Sequence, residues 1–378
     1  MRSLLDHNRS VGALSIGSSA DSREVKALPS TDIDADSADR PLSVALSVGL
    51  IASSAGGARR RGAAVLRALR RLLPFDAGAV ILFDPDRSVA LPLAVTGYRA
   101  LPAARTGPPA RPEATYQELA GVRLDRPGPP RRLCDLTGAP GRALRDRLAA
   151  VGLPEGVGVP LTTSDGRCVG LLALHRRVVG LDDAPLEVLG RLSPTIANAV
   201  DPLRPATGLV MAIPRVCAGA VLTTGGRILP LPGLPGHPFL VPAAPLLDTA
   251  MVTLRDGRLY RAFLVPGVSG ADHLCATVVP CPAEPPYLGS VAILLSPAGN
   301  TRGLTPRELE VMGLLVDGCS NRRIAATLFV TERTVAAHIE HILVKMEVPT
   351  RTMAALRALR LGLFVPRSLL QPAAATRA

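Results

Sequence analysis

The sequence predicts a multidomain α+β protein in which two antiparallel-sheet domains precede a small all-α domain of four helices. With 378 residues, the chain is longer than one ordinary domain. Up to about residue 299, short apolar runs closed by turn residues alternate with amphipathic helices, as is typical of strands and helices in one fold. Beyond residue 301 only helical spacing of apolar residues remains.

Composition limits the class of protein. The apolar fraction of 47% is sufficient for buried cores, and the formal charge of +12 suits a polyanionic partner such as nucleic acid. The arginines are spread along the whole chain, so charge alone does not locate a binding surface. The six cysteines contain no CxxC pair, and neither a signal peptide nor a run of about 20 apolar residues is present. We therefore expect a cytoplasmic protein with reduced thiols and no membrane contact.

The first predicted domain spans residues 42–203 and follows a leader, residues 1–41, whose Ser, Asp and Ala content indicates disorder. Leucines at helical spacing predict a helix over 63–73. The apolar run 77–83 ends at Asp84-Pro85-Asp86, which predicts a strand followed by a turn, with residues 88–95 as its partner strand.

The end of this domain is more specific. Asp165-Gly166 predicts the turn of a hairpin, and Asp182 caps a closing helix that Pro194 is expected to bend or break. The hairpin sequence GRCVGLLALHR and the closing helix ending in ANAV resemble the end of a GAF domain. That resemblance implies a module that senses a small-molecule ligand or mediates dimerisation, and a GAF-like fold that only dimerises remains an equal alternative.

The middle domain is predicted over residues 206–299. Gly225-Gly226 marks the turn of a hairpin, a helical stretch follows at 246–254, and three strands come next, at 258–265, 274–279 and 288–295. A hairpin, a helix and three strands in this order resemble a PAS-like domain in topology.

Residues 301–367 form the predicted all-α domain, and the tail 368–378 is expected to be disordered. Thr305 and Glu308 make a capping box for the first helix, while Ser320, Thr331 and Thr350 can cap the next three. Two short helices joined by a tight turn favour a helix-turn-helix, with a plain helical bundle as the alternative. The domain has ten basic and six acidic residues, a balance suited to binding phosphates.

The residues of this domain carry a second resemblance. LTPRELEVMGLLVDGCSNRRIAATLFVTERTVAAHIEHILVKM, followed by TRTMAALRALRLG, resembles the LuxR-type (NarL/FixJ-like) DNA-binding domain from end to end. The resemblance implies that the helix beginning after Thr331 lies in the major groove of double-stranded DNA. The residues then expected at the DNA are Ser320, Asn321, Arg322, Arg323, Thr331, Glu332, Arg333, Thr334, Ala336, Ala337, Glu340, His341 and Lys345.

These residues differ in the contacts that they suit. The hydroxyls, the basic side chains and the helix start at Ser320 suit phosphates. Ala336 or Ala337 can touch a thymine methyl, and Glu340 can accept a hydrogen bond from cytosine. Ala336 and Glu340 depart from the family, which often has Lys at the first position and a non-acidic residue at the second. We expect His338 to be a structural residue.

The fourth helix of such domains often forms the dimer contact, and its apolar stripe here permits the same role. The residues assigned to this contact are Met353, Leu356, Leu359 and Leu363.

Together these features predict a homodimeric transcription regulator of bacterial type, with RNA polymerase as a further candidate partner. The near absence of lysine indicates a GC-rich genome, such as an actinobacterial one. We expect no cofactor, metal or catalytic site, because the chain lacks a GxxxxGK[ST] loop, a GxSxG elbow and clustered Cys and His residues. The alternatives are a sensory or interaction protein whose helix-turn-helix no longer reads DNA, an enzyme on the GAF-like fold, and a sigma factor.

Overall fold

The computed structural model describes residues 35–84, 86, 89–98, 128–253, 261–267, 273–281 and 289–370. The described residues from position 40 onward belong to one compact unit. Most of the predicted leader, the Pro- and Arg-rich segment after residue 98, and the last eight residues lie outside the described residues.

The first domain is a five-stranded antiparallel sheet with three of its helices on one face. Its elements are helices α1 (Ala35–Ser53), α2 (Ala58–Leu69), α3 (Gly138–Ala150) and α4 (Asp183–Val200), and strands β1 (Ala77–Asp84), β2 (Val89–Thr96), β3 (Arg131–Arg132), β4 (Glu155–Thr162) and β5 (Cys168–Arg176). The strand order is β2-β1-β5-β4-β3. Val48 of α1, Leu69 of α2 and Ile196 of α4 are fully buried against Val80 and Leu172 of the sheet. Burying this apolar face of the sheet stabilises the domain.

The middle domain repeats the same strand order in a second antiparallel sheet. It contains α5 (Arg204–Ala212), β6 (Ala218–Thr223), β7 (Ile228–Pro230), α6 (Pro245–Thr253), β8 (Arg261–Pro266), β9 (His273–Pro280) and β10 (Gly289–Pro297). The order β7-β6-β10-β9-β8 places the last strand at the centre, as in the first sheet. The predicted fold class is therefore confirmed for two antiparallel-sheet domains.

The C-terminal domain consists of four helices, as predicted. They are α7 (Pro306–Val316), α8 (Asn321–Leu328), α9 (Glu332–Lys345) and α10 (Arg351–Leu361). The capping box of Thr305 and Glu308 is present, and Ser320, Thr331 and Thr350 cap the helices that follow. Local sequence signals thus set all four helix starts.

The structure differs from the sequence prediction at several places, and helices α1 and α3 were not predicted at all. Residues 35–41, expected at the end of the leader, are helical in α1. The helix α4 continues through Pro194 to Val200 instead of breaking there. Helix α5 was not predicted: its residues 204–212 connect the two sheets, and Ala206 packs against the second. Residues 368–370, assigned to a disordered tail, begin in a 3-10 helix, and the Ser368 hydroxyl lies 2.8 Å from that of Thr249.

The C-terminal domain is attached to the edge strand of the second sheet. The Leu264 N–H of β8 donates a hydrogen bond of 2.8 Å to the Phe364 carbonyl, which covers part of an otherwise open edge. Gly362 follows α10 with a φ of 69° and lies so close to Ala262 that an added Cβ would stand 2.9 Å from the alanine Cβ. Buried residues of both domains form one continuous core.

The first and middle domains are joined by a carboxylate that we call the Asp86 latch. Asp86 follows β1, and its Oδ1 accepts a hydrogen bond of 2.7 Å from the buried Thr223 hydroxyl. Its Oδ2 accepts a second bond, of 2.8 Å, from the Gly225 N–H in the β6–β7 turn. A Cβ on Gly225 would lie 2.5 Å from this carboxylate, so the latch requires glycine there.

We predict that Gly225→Ala destabilises the protein through a clash with the Asp86 carboxylate. Asp86→Ala alone should cost about 1–3 kcal/mol, because the buried Thr223 hydroxyl loses its acceptor. In the Asp86→Ala background, the added methyl of Gly225→Ala no longer meets the carboxylate and keeps the 2.7 Å approach to the Cβ at position 86, so its further cost should be smaller than in the wild type. Urea unfolding of the four proteins measures this coupling.

Gly236→Ala is the matched control, since a Cβ at Gly236 meets nothing within 4 Å. It reports the general effect of replacing a loop glycine by alanine. Strictly additive costs for Asp86→Ala and Gly225→Ala would contradict the latch.

Candidate nucleic-acid interface

The candidate interface is built on the starts of α8 and α9. The Ser320 hydroxyl accepts a hydrogen bond of 3.3 Å from the Arg323 N–H, and the Thr331 hydroxyl accepts one of 3.1 Å from the Thr334 N–H. The Ser320 hydroxyl still has its own O–H to donate, the Thr331 hydroxyl lies 2.8 Å from that of Thr334, and each helix start carries partial positive charge. Both starts are exposed and therefore suit an anion.

Most residues predicted to contact DNA are exposed around these helix starts. Ala336, Asn321 and Lys345 are half-buried, whereas the rest of the set is exposed. Asn321 also accepts a hydrogen bond of 3.3 Å from Arg351, a guanidinium that donates a further bond to the Cys319 carbonyl. The exposed members are Ser320, Arg322, Arg323, Thr331, Glu332, Arg333, Thr334, Ala337, Glu340 and His341.

Glu308 fixes α9 against the start of α7. Its side chain is only 3% exposed, and its Oε2 accepts a hydrogen bond of 2.8 Å from the Thr305 N–H. The same oxygen lies 2.7 Å from the Lys345 ammonium, and Oε1 lies 3.8 Å from Nδ1 of His341. Because His341 and Lys345 are four residues apart on one face of α9, a single carboxylate orients that face.

The pKa of Glu308 lies below its usual value. Burial alone would raise it, but hydrogen bonds from Lys345 and from the Thr305 N–H stabilise the charged form more strongly. The carboxylate is therefore ionised at neutral pH and compensates the charge of Lys345. Sequence analysis assigned Lys345 to phosphates, but the structure gives its ammonium an acidic partner inside the domain.

The turn between α8 and α9 contains an aromatic residue that sequence analysis had not singled out. Phe329 has a left-handed φ of 55° and a side chain that is 76% exposed. The guanidinium of Arg307 donates a hydrogen bond to the preceding Leu328 carbonyl and pairs with Glu310 at 2.7 Å. These contacts fix the end of α8 and with it the turn.

Only part of the apolar stripe that was predicted to form the dimer contact on α10 is exposed. Met353 and Leu356 are about half exposed and lie free on the surface. Leu359 packs against the core, and Leu363 is only 7% exposed within it. Leu363 follows the helix at its C-terminal turn, so the regular spacing does not keep it on the same face as Met353. The assignment of Leu363 to the dimer contact is therefore corrected.

A second apolar stripe lies on α1 and was not predicted. Leu42, Leu46 and Leu50 recur at a spacing of four and are all more than half exposed. Val44 and Val48 of the same helix are buried in the first domain. Their neighbours in sequence therefore face outward along one side of the helix.

The described part of the chain contains no cluster of three or more His, Cys, Asp or Glu residues that could hold a metal ion. None of the described helices is both long and apolar enough to cross a membrane. His175 is buried on β5, its Nδ1 lies 2.6 Å from the Tyr98 hydroxyl, and burial lowers its pKa to about 4. It is thus a neutral, hydrogen-bonded residue at neutral pH.

Two family models match the chain. Residues 302–358 match the family described as bacterial regulatory proteins, luxR family. Residues 62–201 match the GAF domain. The first match includes every residue predicted to contact DNA, and the second covers most of the first domain.

Curated relatives match the C-terminal domain. The chain is 47% identical over 60 residues to the Uncharacterized transcriptional regulatory protein YhcZ of Bacillus subtilis, a match covering 16% of this chain and 28% of that protein. It is 46% identical over 59 residues to the transcriptional regulatory protein DegU of Brevibacillus brevis, covering 16% and 25%. It is 44% identical over 52 residues to the nitrate/nitrite response regulator protein NarL of Escherichia coli, covering 14% and 24%. The chain thus matches about a quarter of the length of these relatives.

Among solved structures, the GAF domain of a phosphoenolpyruvate-protein phosphotransferase from Coxiella burnetii aligns with a TM-score of 0.36 and 18% identity. The alignment covers 45% of this chain and 98% of that domain.

We predict that Lys345→Met lowers the free energy of unfolding by about 2 kcal/mol, because it leaves the buried Glu308 carboxylate without its cation. The salt dependence of DNA binding should not change, since the Lys345 charge is compensated inside the domain. Chemical denaturation and binding titrations at several salt concentrations measure the two quantities.

Two variants serve as controls for this prediction. Glu308→Gln together with Lys345→Met should be less destabilised than Lys345→Met alone, because no buried charge is left unpaired. Arg360→Met removes an exposed positive charge from α10 and should have little effect on stability. A salt slope that falls by about one in Lys345→Met would instead place Lys345 on a phosphate.

Proposed function

We propose that this chain, which carries a LuxR-type helix-turn-helix domain behind a GAF domain, is a homodimeric transcription regulator that binds promoter DNA. The observation that carries the proposal is the exposed surface made by the starts of α8 and α9, in a domain whose sequence matches the luxR family throughout. Helix α9 would enter the major groove, and RNA polymerase would be a further partner.

Phosphates would be bound by the arginines and hydroxyls at the two helix starts. Arg322 and Arg323 are exposed at the start of α8, and Arg333 is exposed at the start of α9. Backbone N–H groups and the hydroxyls of Ser320 and Thr331 would supplement them.

Bases would be read further along α9. Ala337 is exposed and Ala336 half-buried, and either can contact a thymine methyl. The exposed carboxylate of Glu340 can accept a hydrogen bond from the amino group of cytosine. The His341 ring is also exposed, although Glu308 holds one of its sides.

Dimerisation would use exposed apolar helix faces. Met353 and Leu356 on α10 supply one such face close to the DNA-binding surface, with Leu359 at its margin. The stripe of Leu42, Leu46 and Leu50 on α1 supplies a second, in the first domain. Two contacts at opposite ends of the chain would suit the binding of paired DNA half-sites.

We assign sensing or dimerisation to the two sheet domains. The limits that we propose are 42–203 for the GAF domain, 206–299 for the middle domain and 301–367 for the DNA-binding domain. The order of a hairpin, a helix and three strands supports a PAS-like middle domain. We propose that the protein acts in the cytoplasm, without catalysis and without a bound cofactor.

Replacing Arg333 by Ala should lower the slope of log K against log salt concentration by about 0.9, the contribution of one phosphate contact. Binding of the full-length protein to a mixed-sequence duplex, followed by fluorescence anisotropy at several salt concentrations, measures the slope. Arg142→Ala is the matched control, because it removes an equal charge from an exposed site on α3 of the GAF domain. Equal slopes for the wild type and Arg333→Ala would show that Arg333 is not at a phosphate.

A second candidate function is a sensory or interaction protein whose helix-turn-helix no longer reads DNA. Ala336 and Glu340 favour it, because they lower the positive charge of the surface that would face the groove.

Substitution of both Arg322 and Arg323 by Ala distinguishes the two functions. If the protein is a DNA-binding regulator, this variant should lose about 1.8 units of salt slope, and affinity for DNA should fall accordingly. If the wild-type protein shows no salt-dependent binding to genomic fragments, the second function replaces the first.

A further inference from the structure

A cavity of about 310 Å³ lies between the GAF domain and the second sheet. Its walls include Phe83 and Val169 of the first sheet, Leu203 of the connection between α4 and α5, and Val221 and Leu229 of the second sheet. Small-molecule sites of this kind occur preferentially at domain interfaces, have volumes of roughly 300–1,000 Å³ and are mainly apolar. This cavity has all three properties, at the lower end of the volume range.

Arg167 places a charged hydrogen-bond donor in this apolar wall. Its Nε donates to Asp165 at 2.7 Å, and its Nη2 donates to Asp201 at 2.7 Å. Nη1 reaches Asp201 only at 3.4 Å. A guanidinium has five N–H donors, so two remain after these three contacts. The two carboxylates hold the planar group in a fixed orientation.

Asp201 is the carboxylate that lines the cavity, and it can only accept hydrogen bonds. Asp201 is only 7% exposed on its side chain, and its Oδ1 already accepts a hydrogen bond of 2.9 Å from the Leu203 N–H. Cys168 also lines the cavity, and burial raises the pKa of its thiol. The cysteine is therefore a small neutral group, and Arg167 is the donor that a ligand would meet.

We propose that this cavity binds a small, neutral and mostly apolar molecule whose carbonyl oxygen accepts a hydrogen bond from Arg167.

The charges around the cavity select for a neutral ligand. The Arg167 guanidinium is paired with two carboxylates, Asp165 and Asp201, so these three side chains together carry a net negative charge. This net charge would repel an anionic ligand. A cationic ligand would have to compete with the Arg167 guanidinium for the buried Asp201 carboxylate. A carbonyl accepts one of the remaining N–H groups without bringing a charge into an apolar wall.

This inference deepens the sensing part of the proposed function by giving it a place and a ligand class. The cavity borders the Asp86 latch, because Phe83 precedes Asp86 on one side and Val221 precedes Thr223 on the other. A ligand here touches both domains at their joint. Binding is measured without DNA, so failure of DNA binding would leave the test unaffected.

The test uses 6-propionyl-2-(dimethylamino)naphthalene, a neutral fluorophore with one carbonyl whose emission moves to the blue in apolar surroundings. Full-length protein is titrated into the fluorophore, and 6-propyl-N,N-dimethyl-2-naphthylamine, in which a CH₂ group replaces the carbonyl, is titrated as its competitor. We expect saturable binding of the fluorophore and an affinity about fivefold weaker for the competitor, the value of one hydrogen bond.

Leu229→Trp fills the cavity from a half-buried wall position and should weaken fluorophore binding by about tenfold or more. Leu361→Trp is the matched control, because it makes the same substitution at an exposed position at the end of α10, away from the cavity. Circular dichroism and thermal melts establish that both variants are folded. Arg167→Lys keeps the charge but loses the planar fork, and should abolish the preference for the carbonyl compound.

Each outcome decides the proposal. Loss of binding in Leu229→Trp alone, together with a carbonyl preference that depends on Arg167, supports it. No binding by the wild type, or equal binding by the wild type and folded Leu229→Trp, overturns the site. Equal affinity for the two naphthalenes overturns the assignment of the carbonyl to Arg167.

Discussion

The buried carboxylate of Glu308 is the contact on which the arrangement of the C-terminal domain depends. Leaving such a charge unpaired would cost several kcal/mol, so its position dictates where cations must lie. Its Oε2 accepts a hydrogen bond from the Thr305 N–H at the start of α7, and the Lys345 ammonium of α9 donates a hydrogen bond to the same oxygen. The pair acts at the end of α9, and together with the fully buried Val335 and Ile342 it fixes the roll of the helix about its axis. The exposed side from Arg333 to Glu340 is the consequence.

The C-terminal domain that carries the exposed side of α9 is connected to the rest of the chain by side-chain packing and backbone hydrogen bonds. Phe364 follows α10 and covers the edge of β8, and Val365 donates a hydrogen bond of 3.2 Å to the Leu309 carbonyl of α7. A short segment therefore lies between the DNA-binding helices and the second sheet and belongs to the core of both. Movement of β8 would displace the same segment that supports α7 and α10. The second sheet thus helps to hold in place the helices that carry the proposed DNA-binding interface.

Local signals in the sequence predicted the starts of the four C-terminal helices and both hairpin turns, whereas α1, α3 and α5 were not predicted. Contacts between distant residues account for the site residues that were misplaced. A capping hydroxyl such as Thr331 acts within its own turn, so its role is visible in the order of residues. Lys345 and Glu308 are 37 positions apart in the sequence, and no residue close to Lys345 in the sequence indicates that its side chain pairs with a buried carboxylate. Leu363 fits the spacing of α10, but the left-handed Gly362 redirects the chain before it. Spacing predicts a helix face only while the helix continues.

The two hairpin turns of the sheets show how a local interaction can become a contact between domains. In the turn from Thr163 to Arg167, Asp165 accepts a hydrogen bond from the Thr163 hydroxyl within the turn itself. The turn from Thr223 to Arg227 has the same backbone bonds between its first and last residues, but Gly225 stands where the first turn has aspartate. There the Thr223 hydroxyl bonds to Asp86 of the GAF domain instead. A turn that carried its own carboxylate would be satisfied alone, whereas this one is satisfied only when the two domains meet. The glycine thus makes the stability of the middle hairpin depend on the position of the GAF domain, at the joint that borders the cavity.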